Sequence, residues 1–333
     1  MVTLSDVARE ANVSVATVSR AINNSLLVTE EKVERINAAI KKLGYEPPMR
    51  QKRNNTTTNK VIIVVTAMLQ PNLLDSIRDT AYELGYEIAI SYTGEGKEGY
   101  ERAMSLLRIL APDTFSGIIA INNLFQDKQV WNEFSNYPVV QIGEYVDISP
   151  CYVILTDDTL GAADMTQYLI NKGYKRIAFV TNKRFFEKDN FRFVRHREDG
   201  FRQTLIENNM NFDEALKIYV DYTHEGGREA AQKIIAMKNR PDAVFCIGDI
   251  IAASCVNELN RAGIRVPEDI AVVGYDNLEI SEYCSPQLTT VAQSFDEIGT
   301  EAVRTLDMVI NGNLNTGRKI YIEHKILERE STI

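Results

Sequence analysis

The spacing of apolar and polar positions divides the chain into two regimes. From Val61 onward, near-continuous Val/Ile runs recur at Val61–Thr66, Tyr86–Ser91, Gly117–Ile121, Val139–Ile142, Arg176–Thr181, Ala243–Ile247 and Ile270–Gly274. Runs of that length predict parallel strands buried on both faces. Between them a helix end, a glycine stop and a strand start recur as "ELGYEIAI", "NKGYKRIAFV" and "RAGIRVPEDIAVVG". Repeated strand–helix–strand units predict an α/β body of two lobes with parallel sheets. Ligands of such sheets sit beyond the carboxyl ends of the strands, and two facing lobes make a cleft.

Residues 1–45 follow a helical period instead. Leu4, Val7, Ala8 and Ala11 share one face of a helix over Leu4–Ala11, with Thr3 and Asp6 spaced as a capping box. Asn12 tolerates the left-handed turn that ends it. Ser14 caps a second helix, Val15–Ile22, and Thr29 a third, Glu30–Leu43, which Gly44 stops. A helix, a tight turn and a second helix form the arrangement that places the second helix in the major groove of DNA. That helix presents Ser14, Thr17, Ser19 and Arg20, with Asn23 after it. Hydroxyls and amides bond phosphates, and Arg can bond a guanine edge bidentately. Val15 and Ala16 are small and apolar, suited to a thymine methyl. A bare three-helix bundle with a polar surface would show the same periodicity.

Charge favours the first reading. The chain has 333 residues and a net charge of -9, yet residues 1–60 hold ten Lys+Arg and six Asp+Glu, a net of +4. The remainder has 27 basic and 40 acidic residues, a net of -13. A basic head on an acidic body predicts that only the head meets a polyanion. Residues 46–60, "EPPMRQKRNNTTTNK", read as a flexible basic linker. No apolar run approaches the ~20 residues of a membrane span, and the N-terminus has no basic-then-apolar leader pattern. Cys151, Cys246, Cys255 and Cys284 show no CxxC spacing. A cytoplasmic protein with reduced, buried thiols, and no membrane association, is expected.

The body offers few catalytic motifs. Gly94, Gly96 and Gly99 match GxGxxG, but after the second strand and with Glu95 and Glu98 where a pyrophosphate would lie, so no dinucleotide is expected. His196, His224 and His324 have no metal-ligand spacing. No cofactor, no metal and no enzymatic activity are predicted. Three residues stand out as ligand groups. Arg197 starts a helix after a polar loop, Asp276 ends "VVGYD", and Asp249 follows "VFCIG". Such groups suit bidentate bonds to vicinal hydroxyls, although either aspartate would also serve as a helix cap.

"TLSDVAREANVSVATVSRAINN" followed by "VTEEKVERINAAIKKLGYEP" resembles the N-terminal signature of the LacI/GalR family of bacterial transcriptional regulators. The resemblance extends over the whole chain. It implies that Val15, Ala16 and Arg20 read bases, that Ser14, Thr17, Ser19, Asn23 and Thr29 hold phosphates, and that Leu4 and Ser5 lie near the DNA backbone. It implies a helix-turn-helix head (1–45), a linker or hinge (46–60) and a periplasmic-binding-protein-like body (61–333). Its first lobe would take about 61–157 and 288–315, its second about 158–287 and 316–333. Arg197 and Asp276 fall on family effector ligands, and Tyr222 on a position that stacks on effectors. Asn12 replaces the usual glycine, Leu73 and Leu74 a Phe-Phe pair, and the linker lacks the family's minor-groove leucine. The last quarter and the linker are similar to those of the cytidine-responsive members.

The implied function is a homodimeric DNA-binding regulator, a repressor, that binds operator double-stranded DNA and is controlled by a small polyhydroxylated effector, a sugar or nucleoside. The alternatives are a cytoplasmic small-molecule receptor, or a nucleoside-responsive regulator acting with a partner protein. Arg20→Ala is expected to cost about 1–3 kcal/mol of operator binding and to flatten base preference. A gel-shift titration checks this; full affinity and selectivity in the variant would remove Arg20 from the reading helix.

Overall fold

The computed structural model describes residues 3–15, 17, 18, 21, 30–45, 60–94, 96–109, 114–121, 137–145, 151–183, 192–314 and 316–333. The chain falls into two units, residues 1–58 and 59–333.

In the first unit, α1 (Leu4–Glu10) begins with the predicted capping box. Asp6 N–H donates to Thr3 Oγ1 at 3.3 Å, and Thr3 N–H donates to Asp6 Oδ2 at 2.9 Å. Asn12 turns the chain with φ 51°. Ser14 Oγ accepts from Thr17 N–H at 3.1 Å, and Val15, Thr17, Val18 and Ala21 are helical. This is a helix-turn-helix. The helix α2 (Glu30–Leu43) has the predicted bounds and ends at Gly44, φ 60°. Val7, Ala8, Ala11, Val18, Ile36 and Ala39 are buried together. Arg35 adds a tie absent from the periodicity: its Nη2 donates to Ala11 O at 2.5 Å and to Asn12 O at 3.1 Å, holding the turn.

The second unit contains two six-stranded sheets. The chain runs β1 (Val61–Thr66), α3 (Pro71–Glu83), β2 (Glu87–Tyr92), α4 (Gly96–Ile109), β3 (Gly117–Ile121), β4 (Val139–Ile142) and β5 (Tyr152–Thr156). It continues through α5 (Asp158–Asn171), β6 (Ile177–Asn182), α6 (Arg192–Glu207), β7 (Lys217–Val220), α7 (His224–Ala236), β8 (Ala243–Cys246) and α8 (Asp249–Arg261). Next come β9 (Ala271–Asp276), the short α9 (Ile280–Tyr283), β10 (Thr289–Gln293), α10 (Phe295–Ile310), β11 (Lys319–Ile322) and β12 (His324–Leu327). The first sheet is parallel, in the order β11-β5-β4-β3-β1-β2. The second, β12-β10-β9-β8-β6-β7, is parallel except for the antiparallel β10–β12 pair.

Both faces of the inner strands are covered, as parallel sheets require, while the edge strands β2 and β11 are largely exposed. Alternate residues of β1 enter different cores: Ile62 and Val64 pack with α3 and α10, Ile63 and Val65 with Ala103 and Met104 of α4. In the second lobe, Phe179 stacks on Phe201 at 4.8 Å and meets Phe245 edge-on at 5.5 Å. Gly99 serves close packing, since a Cβ there would lie 2.0 Å from Gly94 O. All four cysteines are buried and free.

The expected lobe boundaries need correction. Residues 288–293 do not join the first lobe, because β10 lies between β9 and β12 in the second sheet. Nor do residues 316–322 join the second, because β11 pairs with β5. The chain therefore passes between lobes three times, after β5, after β10 and after β11. Hydrogen bonds seat β10: Thr289 N–H donates to Ser331 Oγ at 2.8 Å and Thr290 Oγ1 to Asp249 Oδ1 at 2.7 Å.

Candidate functional site

The carboxyl ends of the strands in both sheets line one cavity of about 220 Å³. The first lobe contributes Leu73, Ile142, Glu144, Tyr145 and Thr156; the second contributes Phe193, Arg197, Tyr222, Asp276 and Gln293.

Arg197 is the centre of the second-lobe wall. It lies one turn into α6 and is only 3% exposed. Its Nε donates to Asp158 Oδ1 at 2.8 Å, its Nη1 to Ile247 O at 2.5 Å and its Nη2 to Asp276 Oδ1 at 3.0 Å. The guanidinium carbon lies 3.5 Å from the Tyr275 ring centroid and 4.9 Å from that of Phe193. Burial alone would push its pKa down; Asp276 and then Asp158 more than offset that, so the charge is held.

Asp276 ends β9 with φ 103°, a strained value for a side-chain-bearing residue. Its Oδ1 accepts from Arg197 and from Gln293 Nε2 at 2.7 Å; its Oδ2 accepts from Tyr222 OH at 2.9 Å. Burial raises the Asp276 pKa, and these partners oppose the rise. Burial and the Asp276 charge push the Tyr222 phenol well up, so it stays a donor. Its ring needs Gly248 beneath it, where a Cβ would lie 2.0 Å from the hydroxyl. Tyr222 also meets Phe193 edge-on at 6.2 Å.

Asp249 is not part of this wall, contrary to the sequence reading. It is fully buried, and its Oδ2 accepts from Leu278 N–H at 2.7 Å while its Oδ1 accepts from Thr290. The strand-end pattern it shares with Asp276 does not reveal which side the carboxylate faces. Here it fastens the turn after β9 to β10. Burial, then the Asp276 charge, raises its pKa well above the ordinary range.

Glu144, Gln293 and Asp158 escaped the sequence reading because each is a single polar residue with no local pattern. Glu144 Oε1 accepts from Phe193 N–H at 2.7 Å. Beside it Arg192 lies over the Tyr145 ring at 4.4 Å and donates to its hydroxyl at 3.1 Å. Both contacts join the lobes. Leu73 lines the cleft and is buried in the first-lobe core, and Leu74 packs against that core half-buried. Among the described residues no group of His, Cys, Asp or Glu is placed to hold a metal ion.

In the head, Ser5, Ser14 and Val15 are exposed and Thr17 is half-buried. Leu4 begins α1. The expected contacts Ala16, Ser19, Arg20, Asn23 and Thr29, and the linker at 46–59, lie outside the described residues.

Two family models match the chain: "Bacterial regulatory proteins, lacI family" over residues 3–48, and "Periplasmic binding protein-like domain" over 166–332. The HTH-type transcriptional repressor PurR of Vibrio atlanticus (strain LGP32) is 32% identical over 337 residues, covering 99% of this chain and 98% of that protein. The ribose operon repressor of Escherichia coli (strain K12) is 29% identical, covering 99% and 100%. The solved structure of a transcriptional regulator CelR–cellobiose complex superposes with a TM-score of 0.72 at 27% identity, covering 99% and 100%.

Asp249→Ala leaves the Leu278 N–H and the Thr290 hydroxyl without their acceptor. It is expected to lower stability by about 1–3 kcal/mol in urea unfolding. Unchanged stability would contradict the structural role assigned to this carboxylate.

Proposed function

This chain belongs to the lacI family of bacterial regulatory proteins, and on that footing we propose how its cleft and head divide the work. It is a DNA-binding transcriptional regulator with a ligand-binding body. We read it as a repressor, not an enzyme, that acts in the cytoplasm as a homodimer; no described helix is long and apolar enough to cross a membrane. The head contacts operator DNA through Leu4, Ser5, Ser14, Val15, Ala16, Thr17, Ser19, Arg20, Asn23 and Thr29. Two heads of a dimer suit a roughly palindromic operator.

The observation that carries the effector reading is the bond network of Arg197, Asp276 and Tyr222 in the cleft wall. Of the roughly four acceptor positions on a carboxylate, Asp276 uses three. Arg197 engages three of its N–H groups, out of about five. Among the described residues one acceptor and two donors remain, held rigid by buried partners. That set matches a ring carrying adjacent hydroxyls, as in a sugar or a ribose. Phe193 and Tyr222 offer the ring an apolar surface. An effector that binds one lobe arrangement better than another shifts their populations and so the operator affinity.

Asp276→Asn keeps the size but replaces one acceptor with a donor. Affinity for the effector is expected to fall by about tenfold to a hundredfold, from a mispaired bond of about 1–3 kcal/mol. Operator binding without effector is expected to stay near wild type. Calorimetric titration with ribose, cellobiose and cytidine, beside an operator gel shift, makes the test. Effector binding as tight as wild type would make the aspartate a structural cap; lost operator binding would mean that it holds the body together.

A further inference from the structure

We propose that Glu144 is the first lobe's recognition group for the effector, and that it restricts the cleft to uncharged or cationic molecules that donate an N–H or O–H to it. Phosphorylated and carboxylated molecules are excluded. The inference rests on the reading of the cleft as the effector site, and names the class of molecule that site accepts.

Glu144 follows the carboxyl end of β4, lines the cleft and is 6% exposed. One of its oxygens is used: Oε1 caps the first turn of α6 by accepting from Phe193 N–H, at a helix end whose N–H groups have no intrahelical acceptor. The other, Oε2, is buried and has no hydrogen-bond partner among the described residues. Native proteins rarely leave a buried carboxylate oxygen unpaired, because the lost hydration is not replaced. Thr156 Oγ1, at the end of β5 in the same wall, is also buried without a partner among the described residues. The second-lobe wall is different, since Asp276 already accepts three hydrogen bonds. Burial raises the Glu144 carboxyl pKa, backbone donors at Phe193 and Arg192 oppose the rise, and Asp158 adds to it. A donor from a bound molecule would relieve that state.

The charge balance sets the sign of the filter. Among the described lining residues are four carboxyl groups, on Glu144, Asp158, Asp221 and Asp276, and two guanidinium groups, on Arg192 and Arg197. Arg197 is already paired with Asp158 and Asp276, and Arg192 is turned onto Tyr145. An anion would meet Glu144 with both cations committed elsewhere, and unpaired like charges in a desolvated site repel strongly. A donor meets an unused acceptor. Because Oε1 also joins the lobes, a molecule held on Oε2 favours the closed arrangement in which both bonds exist.

The test uses the full chain. Adenosine, cytidine, ribose and cellobiose are titrated calorimetrically beside AMP, CMP and ribose 5-phosphate, against wild type, Glu144→Gln, Thr156→Val and Asp276→Asn. Thermal unfolding confirms that each variant folds. Glu144→Gln retains an oxygen for Phe193 N–H but puts an amide donor in place of the free acceptor. We expect an uncharged member to bind wild type, its phosphorylated counterpart to bind about a hundredfold weaker or less, and Glu144→Gln to weaken the uncharged member by about tenfold or more. Thr156→Val is expected to weaken it a few-fold. A phosphorylated member binding as well as its parent overturns the proposal. So does undiminished binding by Glu144→Gln; if Asp276→Asn is then impaired, the cleft reading survives without Glu144. Binding by no member, or equal binding by all variants, overturns both.

Discussion

The body is organised around one buried positive charge. Isolating a guanidinium from water is prohibitive unless its charge and its N–H groups are matched. Arg197 is matched by two carboxylates, a backbone carbonyl and two aromatic faces. Those partners come from separate parts of the second lobe: Asp158 from the start of α5, Ile247 from the end of β8, Tyr275 and Asp276 from the end of β9. Satisfying one side chain thus fixes three element ends relative to α6. Asp276 passes the constraint on to Gln293 at the end of β10 and to Tyr222 after β7. The cleft wall is rigid because its charge demands it.

Among the described residues the first lobe enters that network by Glu144, which accepts from the backbone of α6, and by Tyr145, whose ring lies under Arg192 and whose hydroxyl accepts from it. Both involve the turn that carries Phe193, which itself covers Arg197. Three chain crossings also join the lobes, between β5 and α5, between β10 and α10, and between β11 and β12. Short connections of this kind suit two lobes that open and close as bodies. A molecule that adds bonds to both walls needs only a modest differential affinity to shift such an equilibrium.

Much of this was legible from local pattern. α2 was read to its bounds because good formers run unbroken from an acidic first turn to a basic last turn and a glycine stop. The strands read from the sequence are Val/Ile runs covered on both faces, except β2, which is largely exposed. β5, β7, β10, β11 and β12 are missed: "KIYV", "TTVAQ", "KIYI" and "HKIL" are short and mixed, and β11 alternates between exposed and half-buried positions, whereas "YVILT" of β5 is a fully buried apolar run that the pattern offers and the reading passes over. The crossing of β10 and β11 between sheets is a long-range pairing with no local signature. Arg197 and Asp276 were legible because a charged residue at a helix start or strand end faces the cleft in this architecture. Asp249 fits the same pattern and faces the interior, and only its bond to Thr290, far along the chain, reveals it.

The Arg197–Asp276 pair acts as a unit that holds the cleft. A double-mutant cycle on urea unfolding, with Arg197→Met, Asp276→Asn and both together, measures it most directly. Each single change leaves a buried partner uncompensated, so the account predicts a coupling energy of about 1–3 kcal/mol, with the double variant less damaged than the sum of the singles. Additivity to within about 0.5 kcal/mol would contradict it, and would mean that the two residues are neighbours without being partners.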